Sequence, residues 1–330
     1  MLQRRIASDL GLPTPRLQRN LRNTSQKPEV QKPEPGARNP IRSVRRVHRH
    51  CYHVSVTLFS RRAALKGLLT TGVGALTGAG AYGFLYERHR VELVRASLPV
   101  SGLPPALAGL RVGLVTDLHH SETVPREDIE RAVRLMMSVA PDLIVLGGDY
   151  VTWGDRRYVT PAAEALAGLS APHGVFAILG NHDDDRDMPA ALRKQGFAVL
   201  KDARTRVVIN GERLELAGIR FWTRKPGEIV RVLSGASGTV VLLAHSPWRL
   251  VEAAALDVQL VLSGHTHGGQ VVLPGIGPLA ARRYPVVAGV GRQDSTTIFV
   301  SRGVGTVYVP YRLNCPPDVA LLTLQRQSEI

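Results

Sequence analysis

Five short apolar runs in this chain end directly in side chains that can bind a metal ion. The polar segments that follow them are Asp117-Leu118-His119, Gly148-Asp149, Gly180-Asn181-His182-Asp183, His245 and Gly264-His265-Thr266-His267-Gly268-Gly269. Short runs that are rich in β-branched residues are typical of buried strands. In open α/β folds, ligands sit beyond the carboxyl ends of the strands. The pattern therefore predicts both a sheet and a site at one of its edges.

Strands alternate with helices in the first half of the folded part. Apolar runs predict strands at residues 110–116, 143–146 and 175–179, and helical spacing predicts helices at 126–139, 162–169 and 189–195. This alternation is typical of βαβ units and a parallel sheet.

The second half of the chain contains more strands than helices. Two runs joined around Asn210-Gly211, residues 207–209 and 213–219, predict a hairpin, and further strands are expected at 240–243, 260–262, 271–273, 297–300 and 319–324. We therefore expect an α/β fold in which two packed sheets are flanked by helices, in one domain that covers residues 91–330.

The net charge of +15 is concentrated at the N-terminus. Residues 1–66 carry 15 Lys/Arg and 3 Asp/Glu, a net +12, so the rest of the chain carries only +3. A nucleic-acid enzyme would need a basic groove, and we expect no nucleic-acid partner for a domain so close to neutral. Residues 1–59 are polar and rich in Pro and Arg, which predicts a disordered basic arm. A true start at Val54 or Val56, read from a GTG codon, is the alternative.

Residues 60–86 have the character of a targeting segment. The sequence Ser60-Arg61-Arg62-Ala63-Ala64-Leu65-Lys66 resembles a twin-arginine export signal, with Ala64 in place of the usual aromatic residue, and the uncharged run 67–86 follows it. This run is long enough to cross a bilayer. It is either a signal, cleaved after Ala81, or a retained membrane anchor; a buried Gly/Ala-rich helix is the third possibility. We expect export by the twin-arginine machinery to the outer side of the cytoplasmic membrane, the periplasm or the cell wall, with the membrane surface as a partner.

The donor types indicate which cations the site would take. Carboxylates, imidazoles and an amide oxygen suit Mn, Fe and Zn, whereas a structural zinc site would contain thiolates. The number of donors is enough for two divalent ions side by side, which is an arrangement suited to displacement at phosphorus.

The order of these motifs is similar to that of the calcineurin-like metallophosphoesterases over residues 112–267. The resemblance implies the two-sheet α/β sandwich of that family. Residues 264–270, 300–303 and 314–316 resemble a narrower branch of exported bacterial phosphoesterases with twin-arginine signals. Relatives of that branch are linked to hydrolysis of UDP-2,3-diacylglucosamine in lipid A synthesis.

The resemblance also implies a role for each donor. One metal would be held by Asp117, His119, Asp149 and His267, and the other by Asp149, Asn181, His245 and His265. A hydroxide that bridges the metals would attack phosphorus in line, and His182 would donate to a phosphoryl or leaving oxygen.

One position departs from the pattern of the protein phosphatases in this superfamily. They carry an aspartate that orients the catalytic histidine, and Thr152 stands in its place here. Asp183 or Asp155 is expected to substitute, and Asp183 is counted with His182 as catalytic. The departure disfavours a protein phosphatase.

The sequence thus predicts hydrolysis of a phosphodiester or pyrophosphate bond, in a lipid-linked or cell-envelope substrate. One alternative is a UDP-2,3-diacylglucosamine-type pyrophosphatase of lipid A synthesis, and another is a metal-binding envelope protein without turnover. Trp222 is expected to pack in the fold, with a place in the substrate pocket as the alternative. Arg282, Arg283 and Arg302 are expected to be solvated.

Overall fold

Two six-stranded sheets form the centre of the protein in a computed structural model that describes residues 60–327. The predicted arm, residues 1–59, lies outside the described residues. The first sheet contains, in spatial order, β1 (Glu92–Val100), β14 (Asp318–Arg326), β2 (Arg111–Val115), β3 (Leu143–Leu146), β4 (Val175–Ala177) and β5 (Ala198–Val199). Strand β14 is antiparallel to β2, and the other neighbours in this sheet are parallel.

The second sheet has a parallel centre and antiparallel edges. Its spatial order is β12 (Gly289–Gln293), β13 (Thr296–Val300), β9 (Leu260–Ser263), β8 (Thr239–Ala244), β7 (Glu212–Ile219) and β6 (Ala203–Ile209). A separate two-stranded ribbon pairs β10 (Val272–Leu273) with β11 (Gly277–Pro278).

Five of the six α-helices in the described part of the chain cover the outer faces of the two sheets. The helices are α1 (Arg61–Leu85), α2 (Arg126–Met137), α3 (Val159–Ala165), α4 (Asp187–Lys194), α5 (Pro226–Leu233) and α6 (Arg249–Ala255). Buried side chains of α2, α3 and α4 pack on the first sheet, and those of α5 and α6 pack on the second.

The period-2 alternation of the strands builds the core between the sheets. In β14, Val319 faces the helices, while Ala320, Leu322 and Leu324 face the second sheet. There they share one buried cluster with side chains of β2, β3, β8 and β13. The predicted two-sheet α/β architecture is confirmed.

The predicted elements agree with the structure within a few residues, with identifiable exceptions. The hairpin turn at Asn210-Gly211 has φ values of 51° and 84°, as a two-residue turn of type I′ requires. Helix α3 begins three residues before its predicted start and also ends earlier. The sequence interpretation missed β1, β5, β11, β12, α5 and α6 altogether.

Helix α1 is a long apolar helix that leaves most of its surface uncovered. Gly83 is its one buried residue in the described part of the chain, so it is not a buried helix of the domain. Its leucines are largely exposed, Leu68 and Leu76 at 76% and 77%. The helix is long and apolar enough to cross a membrane.

Candidate active site

The predicted metal donors from both sheets meet at one edge of the sandwich. The loops after β2, β3 and β4 supply one part of the set and the loops after β8 and β9 supply the other. In chain order the donors are Asp117, His119, Asp149, Asn181, His245, His265 and His267.

The first group of donors contains Asp117, His119 and His267. One ligand atom from each lies within 4.8 Å of the others. The Nε2 atoms of His119 and His267 are 3.1 Å apart, and His267 Nε2 is 3.5 Å from Asp117 Oδ1. The three side chains therefore converge on one point, as ligands of a single ion would.

The second group contains Asp149, His245 and His265, again with ligand atoms within 4.8 Å of one another. Asp149 Oδ2 lies 3.1 Å from His245 Nε2 and 3.5 Å from His119 Nε2. Because His119 belongs to the first group, this carboxylate lies between the two groups, where a bridging ligand is needed.

Buried polar atoms without hydrogen-bond partners test whether the residues fit metal ions. Asn181 Oδ1 and His265 Nδ1 have no such partner in the described part of the chain. Leaving a buried acceptor unpaired costs about 1–3 kcal/mol. Both atoms belong to the donor set expected for one ion, so the residues fit the metal that the sequence predicts.

Hydrogen bonds to the ring nitrogen that faces away from the site orient the imidazoles of His245 and His265. His245 Nδ1 donates to Gly147 O at 2.8 Å, which turns Nε2 toward the carboxylates. His265 Nε2 lies 2.8 Å from the hydroxyl of Tyr284, which leaves Nδ1 for a metal. Such contacts to the second ring nitrogen are typical of histidine metal ligands.

The backbone is strained at most of the donor positions. Five of the donors have left-handed φ values between 48° and 72°: Asp117, His119, Asp149, His265 and His267. Residues other than glycine rarely adopt this conformation, and each such residue costs on the order of 1–3 kcal/mol. Strain of this kind clusters at functional sites, where the surrounding fold maintains it.

Two glycines in the motifs make room for carboxylates. A Cβ on Gly264 would lie 2.1 Å from Asp117 Oδ2, and a Cβ on Gly180 would lie 2.0 Å from Asp149 Oδ1. At these positions glycine is required by close approach to a carboxylate.

Burial and mutual repulsion determine the charge of the imidazoles. Burial, the largest effect, lowers the pKa of both His119 and His265 to about 3, so both are neutral and able to ligate. Burial also opposes the charge of His245, but Asp149 and Asp117 outweigh it and raise the pKa of His245 to about 10. In the metal-free protein, protonated His245 thus partly neutralises the two buried carboxylates.

His182 is held in one tautomer beside this centre. Its Nδ1 accepts a hydrogen bond from the backbone N–H of Trp153 at 3.1 Å, and its ring is 5% exposed. An amide N–H can only donate, and burial lowers the pKa of His182, so the neutral ring carries its proton on Nε2. His182 therefore presents an N–H donor to the site.

None of the expected substitutes orients His182 through a side chain. Asp183 accepts hydrogen bonds from the backbone N–H groups of Asp149, Tyr150 and Gly180 at 2.7–2.8 Å, and these bonds hold the motif loops together. Asp155 accepts from Arg157 N, and the Thr152 hydroxyl contacts His119. The expectation that Asp183 or Asp155 orients His182 is wrong, because an amide N–H of the loop does so.

A cavity of about 880 Å³ lies over the donors and has two aromatic walls. Trp153 and Tyr308 pack edge to face on the His182 side, with ring centroids 5.4 Å apart. Phe221 packs 5.1 Å from His265 on the other side, next to Trp222. Trp222 is 67% exposed and lines the cavity, so its place is in the pocket. In the sequence, a single aromatic residue gives no indication of whether it lies in the cavity wall or in the core.

Arg312 is a further residue of the site that the sequence did not reveal. It is fully buried and donates to the carbonyl oxygens of Arg302, Gly303 and Gly305. It also approaches His267 Nδ1 at 3.4 Å. Arg312 thereby fixes residues 302–305 next to the first donor group.

Comparison with known proteins gives the family of this chain. The family model described as calcineurin-like phosphoesterase matches residues 110–269. The uncharacterized metallophosphoesterase YkuE of Bacillus subtilis is 32% identical over 282 residues, which cover 81% of this chain and 98% of that protein. The phosphodiesterase YaeI of Escherichia coli is 31% identical over 282 residues, which cover 81% of this chain and 100% of that protein.

A longer relative is also similar. A protein of Danio rerio named as a transmembrane protein with metallophosphoesterase domain is 31% identical over 287 residues, covering 81% of this chain and 64% of that protein. Both bacterial relatives match over nearly their whole length. The residues that the family model matches, 110–269, include every donor motif. The chain therefore belongs to the calcineurin-like phosphoesterase family and is a metal-dependent phosphoester hydrolase.

Proposed function

We propose that this enzyme hydrolyses a phosphodiester or pyrophosphate bond in a lipid-linked or cell-envelope substrate, at a site that holds two divalent ions. The observation that carries the proposal is the pair of converging donor groups with the Asp149 carboxylate between them and a neutral His182 beside them. The relative YaeI, which is named a phosphodiesterase, supports the choice of bond.

The donor side chains divide the binding between two positions. Asp117, His119, Asp149 and His267 would hold one ion, and Asp149, Asn181, His245 and His265 would hold the other. When bound, such ions lower the pKa of water and neutralise phosphoryl oxygens. The rigid loops supply the preorganisation, since the strained donors need not move when substrate arrives.

His182 acts from the side of the site that Trp153 covers. Its Nε2–H would donate to a phosphoryl oxygen or to the leaving oxygen, and the amide of Trp153 holds the ring in that tautomer. A positioned donor of this type contributes about 10²–10⁴-fold to a rate. Asp183 is a positioning residue in this scheme, because its carboxylate binds the loop amides of Asp149 and Gly180.

The location proposed for the domain is the outer side of the cytoplasmic membrane. Helix α1 is uncharged after Lys66, and its exposed leucines suit a bilayer. The positive charge of residues 1–66 favours retention of the N-terminal side in the cytoplasm, which leaves the domain outside. The twin-arginine pattern at Arg61-Arg62 supports export of the folded domain.

A pyrophosphatase acting on a nucleotide-linked lipid is the second candidate. Arg224 and Arg283 line the cavity, and neither has a carboxylate partner in an ion pair within residues 60–327. A second phosphate could bind there, as a pyrophosphate requires. The cytoplasmic origin of UDP-linked lipids conflicts with export, so cell fractionation separates the two candidates.

The experiment that tests the proposal compares His182→Ala with the wild-type chain. We expect hydrolysis of bis-p-nitrophenyl phosphate with Mn²⁺ or Zn²⁺ to fall by about 10²–10⁴-fold, while metal content stays unchanged. His173→Ala, outside the site, is the matched control and should keep full turnover. Undiminished turnover in His182→Ala would contradict the role of His182, and turnover that persists after chelation would contradict the metal dependence.

A further inference from the structure

The C-terminal end of helix α1 is clamped to the catalytic domain. The hydroxyl of Tyr311 donates to Ala79 O at 3.1 Å, and the amide of Arg312 donates to Gly83 O at 3.3 Å. A Cβ on Gly83 would lie 2.3 Å from Arg312 O, so only glycine permits this approach. The helix end is therefore an integral part of the domain surface.

The chain just beyond α1 is fixed as well. Arg88 Nη1 donates to Thr123 O at 2.8 Å, and Arg131 Nη1 donates to His89 O at 2.7 Å. The helix thus leaves the domain in a defined direction.

The uncharged part of α1 matches the thickness of a bilayer. Residues 67–85 carry no charge, and 19 helical residues extend about 28 Å, close to the hydrocarbon thickness of about 30 Å. Gly83, in the last turn of the helix, would then lie near the lipid–water interface. Tyr82 and Tyr86 are 40% and 55% exposed at this end of the helix, and tyrosine is enriched at membrane interfaces.

The segment that clamps α1 also forms a wall of the active-site cavity. Tyr308 and Val309 line the cavity, are 77% and 58% exposed, and precede Tyr311 by three and two residues. Three residues span at most about 11 Å, so this wall is close to the anchored helix. Trp153, 68% exposed, packs edge to face against Tyr308, and its ring centroid lies 4.4 Å from that of His182.

We infer that the interfacial wall, defined as Trp153, Tyr308 and Val309, contacts the bilayer that α1 crosses. The cavity then opens at the lipid–water interface, and a phosphoester headgroup reaches His182 while its acyl chains stay in the membrane. Exposed aromatic rings with one polar end are suited to this interface. The inference rests on the proposed function, since it assumes that α1 is a retained anchor and that the substrate is lipid-linked.

Lipid quenching of tryptophan fluorescence tests the inference. The full chain would be reconstituted in phosphatidylcholine vesicles with brominated acyl chains, in two single-tryptophan forms. One keeps Trp153 and carries Trp222→Phe and Trp248→Phe, and the other keeps Trp248 on the opposite wall and carries Trp153→Phe and Trp222→Phe. We expect Trp153 to be quenched at least about twice as strongly as Trp248, because quenching requires close approach to the acyl chains. Equal or weaker quenching of Trp153 would overturn the inference.

A charge placed in the wall provides the second variant. In the Trp153-only form, Tyr308→Asp with Val309→Asp should abolish the excess quenching, since a carboxylate is costly to bury among acyl chains. Val208→Asp, on the exposed edge strand β6, is the matched control and should leave the quenching unchanged. Retained quenching in the Tyr308→Asp, Val309→Asp form would show that this wall is not the contact.

Turnover of bis-p-nitrophenyl phosphate by the wild-type chain is measured in the same vesicles. It distinguishes failure of the membrane contact from failure of the proposed function. Turnover without quenching of Trp153 contradicts the membrane contact alone. Absence of turnover in the metal-loaded chain contradicts the proposed function itself.

Discussion

At the scale of single residues, the site depends on glycines that leave room for carboxylates. Gly264→Ala would place a methyl group 2.1 Å from Asp117 Oδ2, and Gly180→Ala would place one 2.0 Å from Asp149 Oδ1. Each displaced carboxylate loses its position for the metal. We expect metal affinity to fall about 10–100-fold in both variants, measured by titration with Zn²⁺.

A third alanine variant controls for the loss of glycine itself. Gly227→Ala lies in helix α5, where a Cβ would meet no atom within 4 Å. It should bind metal as the wild-type chain does. Wild-type affinity in Gly264→Ala and Gly180→Ala would contradict the assigned ligand positions.

Proton release on metal binding follows from the charge of His245. Because its pKa is raised to about 10 in the metal-free site, His245 holds a proton at pH 7 that a metal must displace. Burial raises the pKa of Asp117 to about 6, so this carboxyl also competes with the metal as the pH falls below 6. We expect about one proton released per chain at pH 7–8 and a steeper loss of affinity below pH 6.

Calorimetry in buffers of different ionisation enthalpy measures this release. A heat of Zn²⁺ binding that is the same in PIPES and in HEPES would mean that no proton leaves, against the expectation.

At the scale of elements, an ion pair between strands β6 and β7 stabilises the second sheet. The Glu215 carboxylate is fully buried, accepts from Arg206 Nε at 2.8 Å, and also pairs with Arg204. Burial opposes its charge, but Arg206 and Arg204 outweigh that effect and lower the pKa of Glu215.

Glu215→Gln should therefore lower the free energy of unfolding by about 1–3 kcal/mol at pH 7. Since the folded-state pKa lies below the unfolded value, the contribution is present at neutral pH and is lost as the pH falls through the folded-state pKa. Urea unfolding at pH 7 and in acid should show the two proteins converging. Glu212→Gln, exposed on the same strand, should differ little from wild type, and a constant difference across pH would contradict the assignment.

The contact between the end of helix α1 and the rest of the domain can be tested by replacing a glycine of the helix with a larger residue. A Cβ on Gly83 would lie 2.3 Å from the backbone oxygen of Arg312, whereas a Cβ on Gly74 would meet no atom within 4 Å, so Gly83→Leu should clash and Gly74→Leu is the matched control. Overpacking of this kind costs about 1–3 kcal/mol. In detergent, Gly83→Leu should unfold at a lower temperature than wild type, and Gly74→Leu should not. Equal melting temperatures would show that the clamp contributes nothing.

Of the elements that the sequence did not predict, strand β1 can be explained physically. The apolar residues of the nine-residue strand β1 are interrupted by Arg95, Ser97 and Pro99. Strand β1 lies at the edge of the first sheet and pairs only with β14, which is a position where a strand tolerates proline. Helices α5 and α6 have 8 and 7 residues, the same lengths as α4 and α3, so length alone does not explain why they were missed. Buried strands with uninterrupted apolar runs, such as β3, could be predicted to the residue.

At the scale of the whole molecule, the sequence predicted the donors better than their surroundings. The candidate donors follow strand ends, so the local pattern was enough to select the side chains that the structure brings together. The wall residues Trp153 and Tyr308 are brought to the site by loops far apart in sequence, and no local pattern marks them. Arg312 was missed for the same reason, since its importance comes from the carbonyl groups of a remote loop. The orientation of His182 by an amide has no side-chain signature at all.

For the molecule as a whole, we propose that the two sheets bring their loops together around a pair of ions. The most direct test is an anomalous diffraction measurement on crystals of the Mn²⁺- or Zn²⁺-loaded protein. We predict two anomalous peaks about 3.5–4 Å apart, with Asp149 in contact with both. A single peak at this site, or two peaks too far apart to share Asp149, would contradict the account.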